Sequence, residues 1–464
     1  MALLKINLVT LVVEVYAVAA LLFEMNIPGS SFLQETPLAK LSISFLPMIL
    51  TFVARIIEGW NLIAFPTLLC AFSIPIAVVT SGRLKIVLAF LLSLFVLLHF
   101  SAIKSVQIKN LPTPTGKFTV GYKLYSEDKS HPTYCVFYPA SSTTHKHPKY
   151  LVDDDMAKKM LEVVQGTSTF PPKWLFDITT HFSRKINLSA CIDAPLISTG
   201  ELKDYTQSEK LIPVIYSHGL GAGRHNYSSL LCQLASKGYF VISTDHRDAV
   251  REIYNGIDKY APEYLEKRVQ EVKAIITELM DSSGSIGKLF GNKLNLDMSR
   301  LTVMGHSYGG VTAYATARED ERIKNCVMLD PWLRPLDIDS LDKKLSCNVL
   351  LFQSGNWNET NPSGEVTVRN TKLMEAHRNN KYGAIYCKTP NSQHCYFSDD
   401  ILLSGGTLKF LKLIDNIDVA DEIHKAYIKA IEDYLAVVVV KGQDSKNFKT
   451  LYEGDERFPL VVYS

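Results

Sequence analysis

The sequence LTVMGHSYGGVTA, at residues 301–313, joins two differently patterned segments through a Gly-x-Ser-x-Gly motif. Residues 301–304 form a short apolar run typical of a buried strand, and the small residues after Gly309 indicate an opening helix. Gly305 and Gly309 would let the strand and the helix approach closely around the serine. A helix that starts beside Ser307 would stabilise a developing oxyanion, so this context predicts that Ser307 is a nucleophile. The alternative is a glycine-rich turn with an incidental serine.

One histidine after Ser307 is the candidate base. A serine hydroxyl is a weak nucleophile and needs a base that an acidic side chain orients in turn. His394 lies in the polar stretch NSQHC, residues 391–395, after a predicted strand, and this position suits a catalytic histidine. His377 and His424 lie on predicted helices, where we expect solvated surface positions.

The acid is predicted at Asp330, directly after the apolar strand CVML at residues 326–329. A carboxylate at the carboxyl end of a strand points into the crevice where open α/β sheets bind ligands. Glu359, which follows the next predicted strand, is the competing acid. With Asp330 and His394 after Ser307, the chain has the serine–acid–histidine order of the α/β-hydrolase fold.

The oxyanion hole requires two backbone N–H groups, one of them from the residue after the nucleophile, Tyr308. The other is predicted in the loop SHGLGA, residues 217–222, where glycines on both sides of Leu220 would allow its N–H to turn toward the reacting carbonyl. We interpret His218 in this loop as a structural, hydrogen-bonding histidine rather than a catalytic one.

Strands alternate with helices from about residue 117 onward, which predicts an α/β domain with a mostly parallel sheet and helices on both faces. We place this catalytic domain at residues 107–440 and leave the C-terminal tail, residues 441–464, unassigned. The predicted strands are 133–138, 212–216, 239–244, 301–304, 323–329, 347–353 and 382–387. The predicted helices are 227–237, 264–282, 309–318, 366–377 and 418–435.

Residues 1–106 are compatible with lipid, because they hold only ten charged side chains. Apolar stretches at residues 3–23, 41–57, 60–79 and 84–103 predict about four transmembrane helices, with two or three as the alternative. The last stretch is long enough to cross a hydrocarbon core about 30 Å thick. A cleaved signal peptide is the competing interpretation of the first stretch, and its length and the lack of a clear cleavage site disfavour it.

The overall charge excludes a general attraction to nucleic acid, since 49 Lys and Arg against 47 Asp and Glu leave a formal charge of +2.

The eight cysteines show no metal-ligand spacing, and neither a metal nor a cofactor is expected. Seven of them lie after residue 106 without a disulfide rhythm, which fits a reducing compartment. A small excess of Lys and Arg on the side of the termini also favours a cytoplasmic over a lumenal catalytic domain. The residues do not indicate an oligomeric state.

Four ordered segments carry a resemblance to a known family: PVIYSHGLGA at 213–222, DHRD at 245–248, GHSYGG at 305–310 and LDPW at 329–332. They resemble the platelet-activating factor acetylhydrolase family, plasma and intracellular type II, over roughly residues 118–417. The predicted transmembrane region, residues 1–106, is a departure from those family members, which are secreted or peripherally attached.

The resemblance implies a calcium-independent serine esterase that releases short or oxidised sn-2 acyl groups from phospholipids in or near the bilayer. It implies Ser307 as nucleophile, Asp330 as acid and His394 as base, with the oxyanion held by the Leu220 and Tyr308 amides. Two alternatives remain open: a serine esterase acting on a non-phospholipid ester, and a non-catalytic membrane scaffold that retains the fold.

Overall fold

A computed structural model describes residues 111–126, 132–150, 186–207, 209–246, 262–281, 284–291, 293–357, 364–403, 405 and 414–463. The four predicted membrane spans and the competing acid Glu359 lie outside these residues. Within the described ranges, no helix has both the length and the apolar character that crossing a membrane requires. The described residues within 111–401 and 414–463 group together as one compact unit.

The centre of this unit is a ten-stranded mixed sheet. Its strands are β1 (Thr119–Tyr125), β2 (Thr133–Ala140), β3 (Cys191–Ile192), β4 (Ile212–Ser217), β5 (Tyr239–Asp245), β6 (Thr302–His306), β7 (Asn325–Leu329), β8 (Asn348–Ser354), β9 (Ala384–Thr389) and β10 (Leu460–Val462). The α-helices are α1 (Thr199–Thr206), α2 (Ser228–Ser236), α3 (Pro262–Met280), α4 (Ser285–Leu289), α5 (Tyr308–Glu319), α6 (Glu365–Ala376), α7 (Asp400–Leu403), α8 (Ile417–Tyr434) and α9 (Ser445–Thr450). Short 3-10 helices cover Met298–Arg300, Ile338–Asp342 and His394–Phe397, and a π-helix covers Leu435–Val440.

The strand order is β10-β9-β8-β7-β6-β4-β5-β2-β1-β3. The six strands from β5 to β9 in this order are parallel, whereas β2 joins β5 and β10 joins β9 in the antiparallel sense. The chain leaves β4 for β5 on one side and returns to β6 on the other. This reversal is a topological switch point, where open α/β sheets bind ligands at the carboxyl ends of the strands.

Both faces of the sheet are buried, as the alternation along β7 illustrates. Cys326 and Met328 belong to the core cluster that α3 and α5 cover. Val327 and Leu329, equally buried, alternate with them and so lie on the opposite face. On that face α2 packs on β5 and contacts α8. Burying one such side chain contributes about 1.5–3 kcal/mol relative to its exposure, so this double covering is the main stabilising feature of the domain.

The predicted α/β class with a mostly parallel sheet is confirmed, and each predicted strand and helix is present with small shifts at its ends. The sequence did not predict β1, β3 and α1. The unassigned tail also contributes: it forms α9 and the edge strand β10, in which Leu460 pairs with Cys387.

The surface positions expected for two histidines were wrong, because both side chains are buried. His377 follows α6, where its ring bonds the Leu373 carbonyl and accepts from the Leu345 N–H. His424 lies on the buried face of α8 and its Nδ1 lies 2.8 Å from the Tyr396 carbonyl oxygen.

Candidate active site

Ser307 occupies a sharp turn between β6 and α5, at the carboxyl edge of the sheet. Its backbone has φ 57° and ψ −118°, a conformation that few residues other than glycine adopt. Two hydrogen bonds hold this turn: the Ser307 N–H donates to the Leu329 carbonyl at 2.9 Å, and the Trp332 N–H donates to the Ser307 carbonyl at 2.9 Å. The buried turn therefore presents the serine in a strained conformation, as nucleophile elbows do.

The two glycines of the motif are required by close backbone contacts. A Cβ at Gly305 would lie 2.2 Å from the Gly309 carbonyl oxygen, and a Cβ at Gly309 would lie 2.0 Å from the Ser217 carbonyl oxygen. Real Cβ atoms do not approach backbone oxygens so closely, so any larger residue would push α5 away from β4 and β6.

Asp330 begins the loop after β7 and is completely buried. Its φ is 47°, so Asp330, like Ser307, has a backbone with a positive φ. Its Oδ1 accepts a hydrogen bond from the Ser354 N–H at 3.0 Å, and its Oδ2 accepts from the Ser354 hydroxyl and from His394. Both carboxylate oxygens thus act as acceptors, which suits an ionised group.

His394 starts the 3-10 helix that follows β9, and its Nδ1 lies 2.8 Å from Asp330 Oδ2. The side chain is 30% exposed, which leaves the ring open to a substrate. The Trp357 indole stacks on the imidazole, with ring centroids 3.8 Å apart and planes inclined by 27°. Hydrogen bonding at Nδ1 fixes the tautomer that leaves Nε2 as a proton acceptor.

The loop after β4 lies against Ser307. A Cβ placed on Gly219 would be 3.4 Å from Ser307 Cβ. The next residue is Leu220, whose backbone N–H has no hydrogen-bond partner among the described residues. The Arg268 guanidinium donates to the His218 carbonyl at 2.6 Å and lies 4.7 Å from the centre of the Tyr308 ring. Arg268 therefore connects the two segments predicted to supply the oxyanion hole.

His218 has the hydrogen bonds of a structural residue. Its Nε2 accepts from the His246 backbone N–H at 3.1 Å, so its Nδ1 is the protonated atom and donates to the Gly219 carbonyl at 2.7 Å. The His246 ring lies beneath it, bonded to Ser217 Oγ at 2.8 Å and to Glu271 at 2.6 Å. Of the DHRD segment, Arg247 and Asp248 lie outside the described residues.

Asp399, five residues after His394, is hydrogen-bonded to the start of α2. Its Oδ2 accepts from the Ser228 hydroxyl at 2.6 Å and from the Ser229 N–H at 3.0 Å, which caps the N-terminus of that helix. The neighbouring carboxyl of Asp400 accepts from Asn226 Nδ2 at 3.0 Å, and burial raises its pKa. Cys395, beside the candidate base, is no competing nucleophile, since burial raises its thiol pKa to about 12.

Several supporting residues were missed by the sequence interpretation. Ser354 and Trp357 reach the candidate triad from the end of β8, and nothing in their local sequence distinguishes them. Arg268 did leave a signal, because it lies within the apolar stripe of α3, three residues after Leu265 and four before Val272. A charged residue in such a stripe must find buried partners.

Comparisons with known proteins agree with this geometry. A family model described as "Platelet-activating factor acetylhydrolase, isoform II" matches residues 103–280 and 268–457. The platelet-activating factor acetylhydrolase of Cavia porcellus is 26% identical over 339 residues, which are 64% of this chain and 67% of that protein. Its counterpart from Gallus gallus is 27% identical over 261 residues, 47% of this chain and 60% of that protein.

Among solved structures, a ferulic acid esterase from Streptomyces cinnamoneus is similar with a TM-score of 0.54 and 17% identity. The alignment covers 77% of this chain and 99% of the esterase. At this identity the likeness concerns the fold, and it is consistent with an α/β-hydrolase.

Proposed function

Since the chain belongs to the platelet-activating factor acetylhydrolase family and is a carboxylic ester hydrolase, we propose that it removes short or oxidised sn-2 acyl groups from phospholipids without calcium. The observation that carries the proposal is the 2.8 Å hydrogen bond between His394 Nδ1 and Asp330, beside the strained turn at Ser307. This arrangement can deprotonate a serine hydroxyl and needs no metal ion to do so.

The first half-reaction forms an acyl-enzyme. His394 Nε2 accepts the Ser307 hydroxyl proton as the oxygen attacks the ester carbonyl, and the Asp330 carboxylate stabilises the imidazolium that results. The same proton then passes to the leaving glycerol oxygen as the ester bond breaks. In the second half-reaction His394 activates a water molecule, which releases the short or oxidised carboxylic acid and restores the free serine.

The oxyanion of each tetrahedral intermediate would be held by the Leu220 and Tyr308 amides. The Tyr308 N–H is the first of helix α5, so the positive end of the helix dipole adds to its effect. The Leu220 N–H is available, because no described residue accepts from it. Each such donor contributes about 3 kcal/mol to stabilising the transition state.

The proposal includes a membrane anchor formed by residues 1–106, whose composition is that of lipid-crossing segments. An anchored esterase would meet its phospholipid at the bilayer surface rather than in free solution. We place the catalytic domain on the cytoplasmic side. The seven described cysteines support this, because all are free thiols. Asn226, which begins the N-glycosylation sequence Asn226-Tyr227-Ser228, supports it as well, because it is buried and hydrogen-bonded to Asp400 and Gly223 and leaves no room for a glycan.

The proposal is tested by hydrolysis of an sn-2-acetyl phospholipid by the detergent-solubilised full chain in the presence of a calcium chelator. An sn-2 long-chain phospholipid and the Ser307→Ala variant serve as comparisons. We expect turnover of the acetyl substrate by the wild type, weak turnover of the long-chain one, and a loss of about 10³-fold or more in the variant.

Two results would count against this account. Equal turnover by Ser307→Ala would remove Ser307 as the nucleophile. If the wild type hydrolysed a simple aryl ester but no sn-2-acetyl phospholipid, the esterase would remain and the proposed substrate class would be wrong.

A further inference from the structure

Two separate loops must keep a fixed distance for the proposed reaction, and one buried side-chain pair connects them. The loop after β4 carries Leu220, and the loop after β9 carries His394. Tyr227 lies at the start of α2 and His306 is the residue before the nucleophile, and both side chains are buried. The Tyr227 hydroxyl lies 3.2 Å from the Gly219 nitrogen and 2.8 Å from His306 Nδ1. On the far side of that ring, His306 Nε2 lies 3.0 Å from the His394 carbonyl oxygen.

The direction of each hydrogen bond in this chain is fixed by its two ends. The His394 carbonyl only accepts, so His306 Nε2 carries a proton and donates to it. The Gly219 N–H only donates, so the Tyr227 oxygen accepts from it. Burial lowers the pKa of His306 well below its usual value and keeps the ring neutral. His306 Nδ1 is therefore an acceptor, and the Tyr227 O–H donates to it.

We infer that Tyr227 and His306 are positioning residues that hold the oxyanion loop and the base loop at a fixed separation. Neither side chain exchanges a proton with the substrate. Their function is to link Gly219, next to Leu220, with the backbone of His394 through one continuous set of hydrogen bonds. This inference rests on the proposed esterase function, because only a reaction at Ser307 requires the two loops in register.

The consequence is specific to the chemical step. Breaking the link lets the two loops shift by a fraction of an ångström, which weakens oxyanion binding and proton transfer together. The atoms of the Tyr227–His306 link do not take part in ground-state binding of the acyl and head groups. Loss of the link should thus lower kcat and leave KM nearly unchanged.

The decisive variant is Tyr227→Phe, because it removes the shared hydroxyl and keeps the ring. A matched control exists in Tyr216→Phe. Tyr216 is also buried, its ring lies 4.8 Å from that of Tyr227, and its hydroxyl has no hydrogen-bond partner among the described residues. With p-nitrophenyl acetate as substrate, we expect Tyr227→Phe to lower kcat by about 10- to 100-fold, with KM within about twofold of wild type. The Tyr216→Phe variant should retain wild-type kinetics.

A second variant tests the path through the histidine. His306→Phe keeps a ring at this position but has neither the acceptor for Tyr227 nor the donor for the His394 carbonyl, and should lower kcat by a similar factor. If both residues act through one link, the double variant is little slower than the slower single variant. If the two substitutions instead act independently through packing, their fold-losses in kcat would multiply in the double variant. If Tyr227→Phe proves too unstable for kinetics, His306→Phe alone tests the link, because it breaks the same set of hydrogen bonds at the histidine.

The outcomes separate the inference from the proposed function. If wild-type protein turns over p-nitrophenyl acetate and Tyr227→Phe matches Tyr216→Phe, the positioning role is wrong and the esterase stands. Multiplicative losses in the double variant would equally overturn the link. A wild-type protein that neither cleaves the ester nor reacts with a fluorophosphonate would refute the proposed function, and the inference with it.

Discussion

Ser307 and Asp330 share an unusual property: both have positive φ angles, at 57° and 47°. A left-handed backbone at a non-glycine residue costs of the order of 1–3 kcal/mol. Buried hydrogen bonds offset this strain, since the Ser307 N–H bonds the Leu329 carbonyl and the Asp330 N–H bonds the Phe352 carbonyl. The candidate nucleophile and acid are thus oriented by their neighbouring strands rather than by their own conformational preference.

At the same scale, Asp400 gives a pH-dependent prediction. Burial raises its pKa in the folded protein, so folding favours the protonated carboxyl. The stability this group contributes is present below the unfolded pKa, about 3.9, and is lost as the pH rises through the folded value. We therefore expect Asp400→Asn, which cannot ionise, to be more stable than wild type at pH 7. The advantage should disappear near pH 3, where the wild-type group is protonated in both states.

Thermal melting between pH 3 and pH 8 checks this, and Asp320→Asn provides a control of opposite sign. Burial acts to raise the pKa of Asp320, but hydrogen bonds from Arg322 outweigh it and lower the pKa. Its contribution is present above the unfolded pKa, so Asp320→Asn should lower the melting temperature at pH 7. Equal melting temperatures for Asp400→Asn and wild type at pH 7 would contradict the assignment of a costly buried carboxylate.

At the level of elements, local sequence patterns were sufficient to predict a strand that is long and apolar or a helix that is amphipathic. The strands β4 to β9 follow from short apolar runs bounded by turn residues. Strands of two or three residues, such as β3 and β10, carry no periodicity. Their existence depends on pairing with a distant partner.

The burial of His424 was foreseeable from α8 itself. Ala420, His424, Tyr427 and Ile431 recur at helical spacing and form one buried face of that helix. The surface interpretation failed because it weighed the polarity of the histidine above its position in the stripe.

The candidate site likewise contains some residues that the sequence predicts and others that only the fold reveals. The motif, the chain order and the strand ends predict Ser307, Asp330 and His394 as the triad, and the structure brings Asp330 Oδ2 and His394 Nδ1 to 2.8 Å. The contacts from Ser354, Trp357 and Tyr227 arise between segments far apart in the sequence. Only the folded arrangement of the loops after β4, β8 and β9 reveals them.

At the scale of the whole molecule, the proposed orientation can be checked at a natural reporter. Asn187, in the sequon Asn187-Leu188-Ser189, is exposed. A lumenal catalytic domain would offer this site to the glycosylation machinery, whereas a cytoplasmic one would not. For protein expressed in a eukaryotic cell, we expect no change in mobility after endoglycosidase treatment. A shift that Asn187→Gln reduces would place the domain in the lumen instead.

The central claim is that Ser307 is an activated nucleophile, and fluorophosphonate labelling followed by peptide mass mapping tests it most directly. The account predicts one adduct, on Ser307, that is absent in Ser307→Ala and forms about 10³-fold more slowly or less in His394→Ala, with both variants folded. An adduct on another residue, or an undiminished labelling rate in His394→Ala, would contradict it.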